Sequence, residues 1–263
     1  MGGVASVLSR TRTFGFAALL AALGTYYGVA TRLWNGSTWW DVTFIAIVLF
    51  PAVFGLVWLV LPLRRARELE LLLVGAGAAV VAVALQSADQ TAFASFFKLA
   101  ATTAIAFWFL RYFENLVWIS LVAVLIPLVD IYSVFWGPTS HLIKHPGGVS
   151  ALSFAFRFPG EHNYATLGVP DLLFFALFLA AADRFRLRVA PTWAAMIVLL
   201  GATIALTVWL DLAGLPALPA LSLGFLGANA DLIWRAARHG GGGGRDAEAR
   251  ANVGETSLRS PSR

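Results

Sequence analysis

The sequence contains no cysteine and few charged residues, and each of these features excludes some classes of protein. Without cysteine there is no disulfide framework and no thiolate to act as a nucleophile or a metal ligand. Charged residues occupy 13% of the 263 positions, whereas hydrophobic residues occupy 59%, and an ordinary soluble domain carries roughly 25% charged residues. This composition excludes a soluble globular protein and a disordered chain, and it predicts a membrane protein.

The net charge of +5 does not indicate a nucleic-acid-binding protein. The arginines lie in short clusters between apolar runs instead of forming one basic face, which is typical of topology signals in membrane proteins. We therefore expect a lipid bilayer as the partner of this chain and no nucleic acid.

Eight apolar runs approach the length that crosses a hydrocarbon core about 30 Å thick. They are residues 14–31, 42–62, 69–85, 91–111, 116–136, 169–182, 190–210 and 215–234. The sequence thus predicts an all-α fold, a polytopic membrane bundle of about eight spans over residues 14–236. Residues 1–13 form a short amino terminus, and the glycine-rich, charged residues 237–263 are expected to form a flexible tail.

Basic residues alternate between the predicted loops. Arginines precede the first span and follow the second, fourth, sixth and eighth spans, and short cytoplasmic loops retain such residues. The alternation predicts an integral protein of the cell membrane with both termini cytoplasmic and an external loop over residues 137–168. Within that loop we expect residues 149–158 to lie at the membrane interface or to form an ordinary loop helix.

Lys98, Asp130 and Asp171 are among the ionisable residues that fall inside or near the ends of predicted spans, where charges are costly. Lys98 lies about seven residues inside the fourth span, and its long stem is expected to carry the ammonium group to the outer surface. Asp130 and Asp171 have no basic residue within one helical turn and lie at similar depth on consecutive antiparallel helices. Charge placement alone leaves three interpretations open: a proton or cation path, a carboxylate dyad that activates water, or two helix-end residues bonded to backbone or water.

Short motifs around these aspartates add specificity. Asp130 begins Asp-Ile-Tyr-Ser-Val, Asp171 ends Gly-Val-Pro-Asp, and Pro-Ala-Leu at residues 216–218 stands at the start of the last span. In this order and on these spans the motifs resemble those of the presenilin and signal peptide peptidase family of intramembrane aspartyl proteases. The resemblance covers residues 116–234, which would be the catalytic half of a presenilin-like fold. The residues that it assigns to support of the active site are Tyr132, Ser133, Gly168, Val169, Pro170, Pro216, Ala217 and Leu218.

The resemblance implies that Asp130 and Asp171 are catalytic and that the substrates are transmembrane helical peptides. It implies hydrolysis of peptide bonds by water, with no metal and no other cofactor. The family usually has nine spans, so one amino-terminal span is missing here. At two positions the chain departs from the family pattern, because Val129 replaces an aromatic residue and Pro170 replaces the second glycine of Gly-x-Gly-Asp.

Two alternatives to a protease stay open from the sequence. One is a proton- or cation-coupled transporter or channel that uses the two aspartates as its ion site. The other is a catalytically inactive presenilin-like scaffold that binds membrane partners. A metal enzyme is not expected, because the chain has no His-Glu-x-x-His motif and its four histidines fall in the predicted external loop or the tail.

Overall fold

The computed structural model describes residues 9–135, 153–161, 164–212 and 214–240. Within these ranges the chain forms eight long helices and one β-hairpin. The helices are α1 Arg10–Val29, α2 Thr38–Arg65, α3 Glu68–Ser87, α4 Thr91–Phe109, α5 Leu116–Phe135, α6 Val169–Arg184, α7 Val189–Trp209 and α8 Leu218–Gly240. The hairpin strands are β1 Ser153–Arg157 and β2 Tyr164–Gly168. The predictions for residues 1–8, for most of the external loop and for the tail beyond 240 lie outside the described residues.

Each predicted apolar run coincides with one of these helices. In the described part of the chain, α1 to α5 and α7 are long and apolar enough to cross a membrane, so six candidate spans are present. Helix α6 has 16 residues, a length of about 24 Å, which is shorter than the hydrocarbon core. Helix α8 has 23 residues but includes Asn229, Asp231 and two arginines. The structure therefore confirms a mostly helical membrane protein with six candidate spans.

Helix α6 lies at the centre of the bundle, where α4, α7 and α8 pack against it. Its side chains from Phe175 through Ala182 are all buried. The Phe175 ring stacks on Phe54 of α2 with centroids 3.9 Å apart, and the Phe178 ring stacks on Phe225 of α8 at 4.9 Å. Because α6 is surrounded by protein instead of lipid, its shortness exposes no polar backbone to the hydrocarbon core.

The β-hairpin corrects the expectation for residues 149–158. Of these, residues 153–157 form a strand that pairs antiparallel with β2, so that Ser153 lies opposite Gly168 and Arg157 opposite Tyr164. The sequence contains a signal for this structure, since two phenylalanines alternate with small or polar residues and a Pro-Gly turn follows. The all-α prediction therefore holds for the bundle but misses this small sheet.

The hairpin is packed into the helices at two places. Both phenylalanines of β1, Phe154 and Phe156, are buried, and Phe156 contacts Phe50 of α2 with centroids 5.0 Å apart. In the turn, Gly160 has φ +73°, and an added Cβ would lie 2.6 Å from the backbone nitrogen of Asn35. Only glycine combines that backbone conformation with so close an approach. The hairpin is thus a fixed part of the bundle.

Arginines gather at the opposite end of the bundle from the hairpin. Arg64 pairs with Asp183, Arg111 donates to a backbone carbonyl of the α2–α3 connection, and Arg184 donates to the carbonyl of Leu110. We call this region the basic end, defined by Arg64, Arg111 and Arg184, and the other the hairpin end. The alternation of arginines along the sequence therefore corresponds to one end of the folded molecule.

Candidate active site

Asp130 lies near the end of α5 and bonds to the start of another helix. Its Oδ2 accepts a hydrogen bond of 3.1 Å from the backbone N–H of Leu218, the first residue of α8. The first N–H groups of a helix have no partner within the helix, and the helix dipole favours negative charge there. The bond therefore joins the motif of Asp130 to the Pro-Ala-Leu motif across 88 residues of sequence.

Asp171 is the third residue of α6 and bonds within its own turn. Its Oδ2 accepts a hydrogen bond of 3.0 Å from the N–H of Gly168, the residue that caps this helix. A Cβ added to Gly168 would lie 3.0 Å from the same oxygen, which is closer than ordinary van der Waals contact. Glycine at this position therefore allows the carboxylate to fold back on the strand that precedes it.

The two carboxylates lie at the same end of the bundle. Asp130 and Asp171 are both at the hairpin end, on helices α5 and α6 that contact each other. Two carboxyl groups in contact disfavour the doubly ionised form, and a pair of that kind keeps one proton. A pair in that state contains one acid and one base, which is what proton transfer to and from a reacting peptide bond requires.

The structure brings together some of the other predicted residues and separates others. Ala217 and Leu218 are buried beside Asp130, and Pro216 lies directly before them. Ser133, three residues after Asp130, shares its face of α5, whereas Tyr132 is rotated about 200° from that face and is 64% exposed. Beside Asp171, Pro170 is exposed, and Val169 lines a cavity of about 420 Å³ between α3 and α4.

The hydrogen bonds of Asp130 to Leu218 and of Asp171 to Gly168 also agree with the interpretation of both aspartates as helix-end residues. Each aspartate accepts from the N–H of a residue where a helix begins, which is a stabilising arrangement in many proteins that have no activity. These bonds each engage Oδ2, and an ionised carboxylate accepts hydrogen bonds through both oxygens. The capping role and a chemical role are therefore compatible at both residues.

One edge of the hairpin is closed by side chains of α1 and α4. The Ser153 carbonyl accepts from Nζ of Lys98 at 3.1 Å, and the Ala155 N–H donates to Oγ of Ser95 at 3.1 Å. The Ala155 carbonyl accepts from the Tyr27 hydroxyl at 2.8 Å. The carbonyl of Arg157 accepts from the Tyr26 hydroxyl at 2.6 Å. The polar backbone groups of β1 that face away from β2 are thus held by the helices.

The other edge of the hairpin leads to Asp171. Because Ala155 turns both its N–H and its carbonyl away from β2, its partner Thr166 must turn the same groups away from β1. Alternation along the strand places Tyr164 and Gly168 in the same orientation, and the Gly168 N–H is the one that Asp171 accepts. The outer edge of β2 therefore ends at the carboxylate of Asp171.

Lys98 does not extend to the outer surface as the sequence predicted. The residue is 7% exposed, and its ammonium group donates to Oε1 of Gln86 at 2.9 Å as well as to Ser153. The nearby hairpin supplies a backbone carbonyl, so the cation finds acceptors inside the protein instead of at the membrane surface. Sequence reasoning missed this contact because it did not recognise the strand that provides the carbonyl.

No metal-binding cluster of three or more histidine, cysteine, aspartate or glutamate residues occurs among the residues that the structure describes. Three of the four histidines lie outside those ranges.

Comparisons with known proteins found no matching family model, no matching curated protein and no matching solved structure. The likeness to presenilin-type proteases therefore depends on the motifs and on the geometry described above.

Proposed function

We propose that this chain is an intramembrane aspartic endopeptidase that hydrolyses peptide bonds within or near the transmembrane helices of membrane-protein substrates. One observation carries the proposal: the Asp130 carboxylate bonds to the first N–H of the Pro-Ala-Leu helix, and Asp171 begins a contacting helix at the same end of the bundle. Two of the three motifs, far apart in the sequence, are thereby in direct contact, and the third lies at the same end. The order of the motifs and their placement on the spans supplied the family resemblance, and the contact between the first and the last motif supports it independently.

In this mechanism water is the nucleophile and the two aspartates divide the proton transfers. The ionised carboxylate removes a proton from water as it attacks the scissile carbonyl carbon. The protonated carboxyl donates a hydrogen bond to the carbonyl oxygen, where negative charge develops in the tetrahedral intermediate. Breakdown of that intermediate returns one proton to the leaving amine, so the pair again shares a single proton.

A transmembrane helix must unwind before its backbone reaches the aspartates, because intact helices bond their own peptide groups. The outer edge of β2 offers unwound peptide a set of backbone partners that ends at Asp171. Addition of an extended peptide to an open sheet edge is a common mode of recognition. Tyr164 and Thr166 are exposed on this strand, which suits such a contact.

In the proposed topology all eight helices traverse the membrane region within residues 14–236, and both termini are cytoplasmic in the cell membrane. The basic end then faces the cytoplasm, as short loops rich in arginine do. The hairpin end and the aspartates lie toward the outer surface. This orientation places the site within reach of the outer part of a substrate helix.

A second candidate has its own supporting observation. Since both aspartates bond to the N–H groups of helix starts, their carboxylates are also suited to a structural role in an inactive presenilin-like scaffold. A proton- or cation-coupled transporter or channel is the third candidate, and it requires the same two carboxylates.

The test is incubation of the purified protein in lipid nanodiscs with a panel of single-span peptides, followed by mass spectrometry of the products. A protease gives paired fragments cut within or near the apolar segment. In parallel, the protein is reconstituted in vesicles that contain a pH-sensitive dye. Proton flux without fragments from any peptide would identify a transporter, and the absence of both would favour the scaffold.

A further inference from the structure

Lys98 is a buried cation that the proposed hydrolysis does not use. Placing an ammonium group within a membrane-spanning helix costs several kcal/mol unless the protein supplies partners. Here the partners come from two different elements, because Gln86 belongs to the last turn of α3 and Ser153 begins β1. A purely local stabilising role would not require contact with the hairpin.

A short series of contacts joins Lys98 to Asp171. Lys98 holds the carbonyl of Ser153, which lies directly opposite Gly168 in the hairpin register. Gly168 in turn donates its N–H to the carboxylate of Asp171 at 3.0 Å. The ammonium group therefore acts on the strand pair that is adjacent to the aspartate.

The other side chains that hold β1 act farther from the site. Ser95 and Tyr27 bond to Ala155, which lies opposite Thr166, and Tyr26 bonds to the residue at the far end of β1. Of these contacts, that of Lys98 lies nearest to the Ser153–Gly168 pair, so its loss should loosen this end of the hairpin while the others keep the sheet in the bundle. Loss of the ammonium group is thus expected to move Asp171 without unfolding the sheet.

We propose that Lys98 is a positioning residue for Asp171, acting through Ser153 and the terminal strand pair of the hairpin. The expected effect of Lys98 on kcat rests on the proposed protease function. The expectation that Lys98 fixes the end of the hairpin does not depend on that function.

The decisive variant is Lys98→Met, which removes the ammonium group and keeps a long apolar stem. We expect kcat to fall at least about tenfold with KM within about twofold of the parent, because substrate binding survives while the base or acid is misplaced. Lys98→Arg retains donors for the Ser153 carbonyl and should recover activity to within about threefold. The matched control is Thr102→Val, one turn along α4, since the Thr102 hydroxyl bonds only to carbonyls of its own helix in the described structure.

Amide hydrogen exchange supplies a readout that does not need activity. In Lys98→Met the amides of Leu167, which faces β1, and Gly168, which donates to Asp171, should exchange faster than in the parent and in Thr102→Val. The thermal midpoint should fall by no more than a few degrees, because the desolvation cost of the buried ammonium group is removed together with its hydrogen bonds to Gln86 and Ser153.

The inference is overturned if Lys98→Met leaves both exchange and kcat at parental values, or if exchange accelerates while kcat is unchanged. A fall in kcat accompanied by equal loss of overall stability, without rescue by Lys98→Arg, would also overturn it. If the parent cleaves no peptide, the proposed function fails, and exchange at Leu167 and Gly168 alone then decides whether Lys98 fixes the end of the hairpin.

Discussion

The two aspartate-bearing helices differ in almost every structural respect. Helix α6 is enclosed by the bundle, whereas α5 lies at its edge, packs mainly against α8 and meets α6 at few residues. A continuous apolar face of α5 is exposed. It consists of Val117, Trp118, Leu121, Val124, Leu125, Leu128, Val129 and Tyr132.

This difference shows that the two carboxylates are placed by different means. Asp171 is positioned locally, by a helix start that is packed in the core and by the N–H of Gly168. Asp130 is positioned at a distance, by the start of α8, on a helix where the preceding residue, Val129, is 60% exposed. In the proposed mechanism the site therefore combines one carboxylate fixed in the core with one on an exposed helix, on the side from which a substrate helix would arrive. Changes near Asp171 should act through the hairpin, and changes near Asp130 through α8.

The largest effect is expected from removing either carboxylate. Asp130→Asn and Asp171→Asn should each lower cleavage below detection, at least about a thousandfold, because one carboxyl cannot serve as both acid and base. Peptide hydrolysis followed by mass spectrometry measures this loss. The control is Asp211→Asn, an exposed aspartate with φ 51°, a conformation that asparagine tolerates. Normal cleavage by either test variant would rule out the dyad mechanism. The different placement of the aspartates on α5 and α6 would then have no bearing on catalysis.

A smaller effect is expected from the local turn beside Asp171. Gly168→Ala places a Cβ 3.0 Å from Oδ2, so the carboxylate must shift by a few tenths of an ångström. We expect kcat to fall about tenfold to a hundredfold, which corresponds to roughly 1.4–2.7 kcal/mol of transition-state stabilisation. Gly214→Ala is the control, because a Cβ there meets no described atom within 4 Å. Equal kinetics in the two variants would show that the turn does not set the position of Asp171.

A weaker effect is expected at the start of α8. Pro216→Ala should lower kcat about fivefold, because proline restricts the backbone that presents the Leu218 N–H to Asp130. Pro219→Ala serves as the control and should stay within about twofold, since a proline in the first helical turn lacks only an N–H that has no helical partner. If Pro219→Ala has the larger effect, Asp130 is not positioned through the segment that precedes Leu218.

The smallest effect on activity is expected from labels that report the orientation of the two ends. The chain has no cysteine, so single substitutions give unambiguous labelling. Arg67→Cys beside the basic end and Ala88→Cys in the α3–α4 connection at the hairpin end are both at exposed positions. An impermeant thiol reagent should reach Ala88→Cys from outside intact cells and Arg67→Cys only after lysis. Labelling of both from the same side would contradict the proposed topology.

The helical part of the fold was predictable because its signal is local. Apolar runs bounded by arginines located all eight helices, and their alternation located the basic end. The hairpin was missed because its strands are five residues long and are held by contacts with distant helices, such as that of Tyr27. Lys98 was misinterpreted for the same reason, since its acceptor belongs to the unrecognised strand.

The candidate site was predictable only in part. The motifs identified Asp130, Asp171 and the Pro-Ala-Leu segment as related, and the hydrogen bond to Leu218 brings two of them into contact. Tyr132 was included by its place in a motif, yet helical geometry turns it away from Asp130. Which oxygen bonds to which N–H depends on tertiary packing, and no spacing in the sequence encodes that.

Infrared difference titration of the carboxyl stretches tests most directly whether the two aspartates share a site. It requires no substrate and compares the parent in nanodiscs with Asp130→Asn and Asp171→Asn. The account predicts that the parent pair loses its protons in two coupled, well-separated steps, and that removal of either carboxyl leaves a single step at a changed pH. Two independent steps in the parent, each unaltered when the other aspartate is replaced, would contradict a shared site.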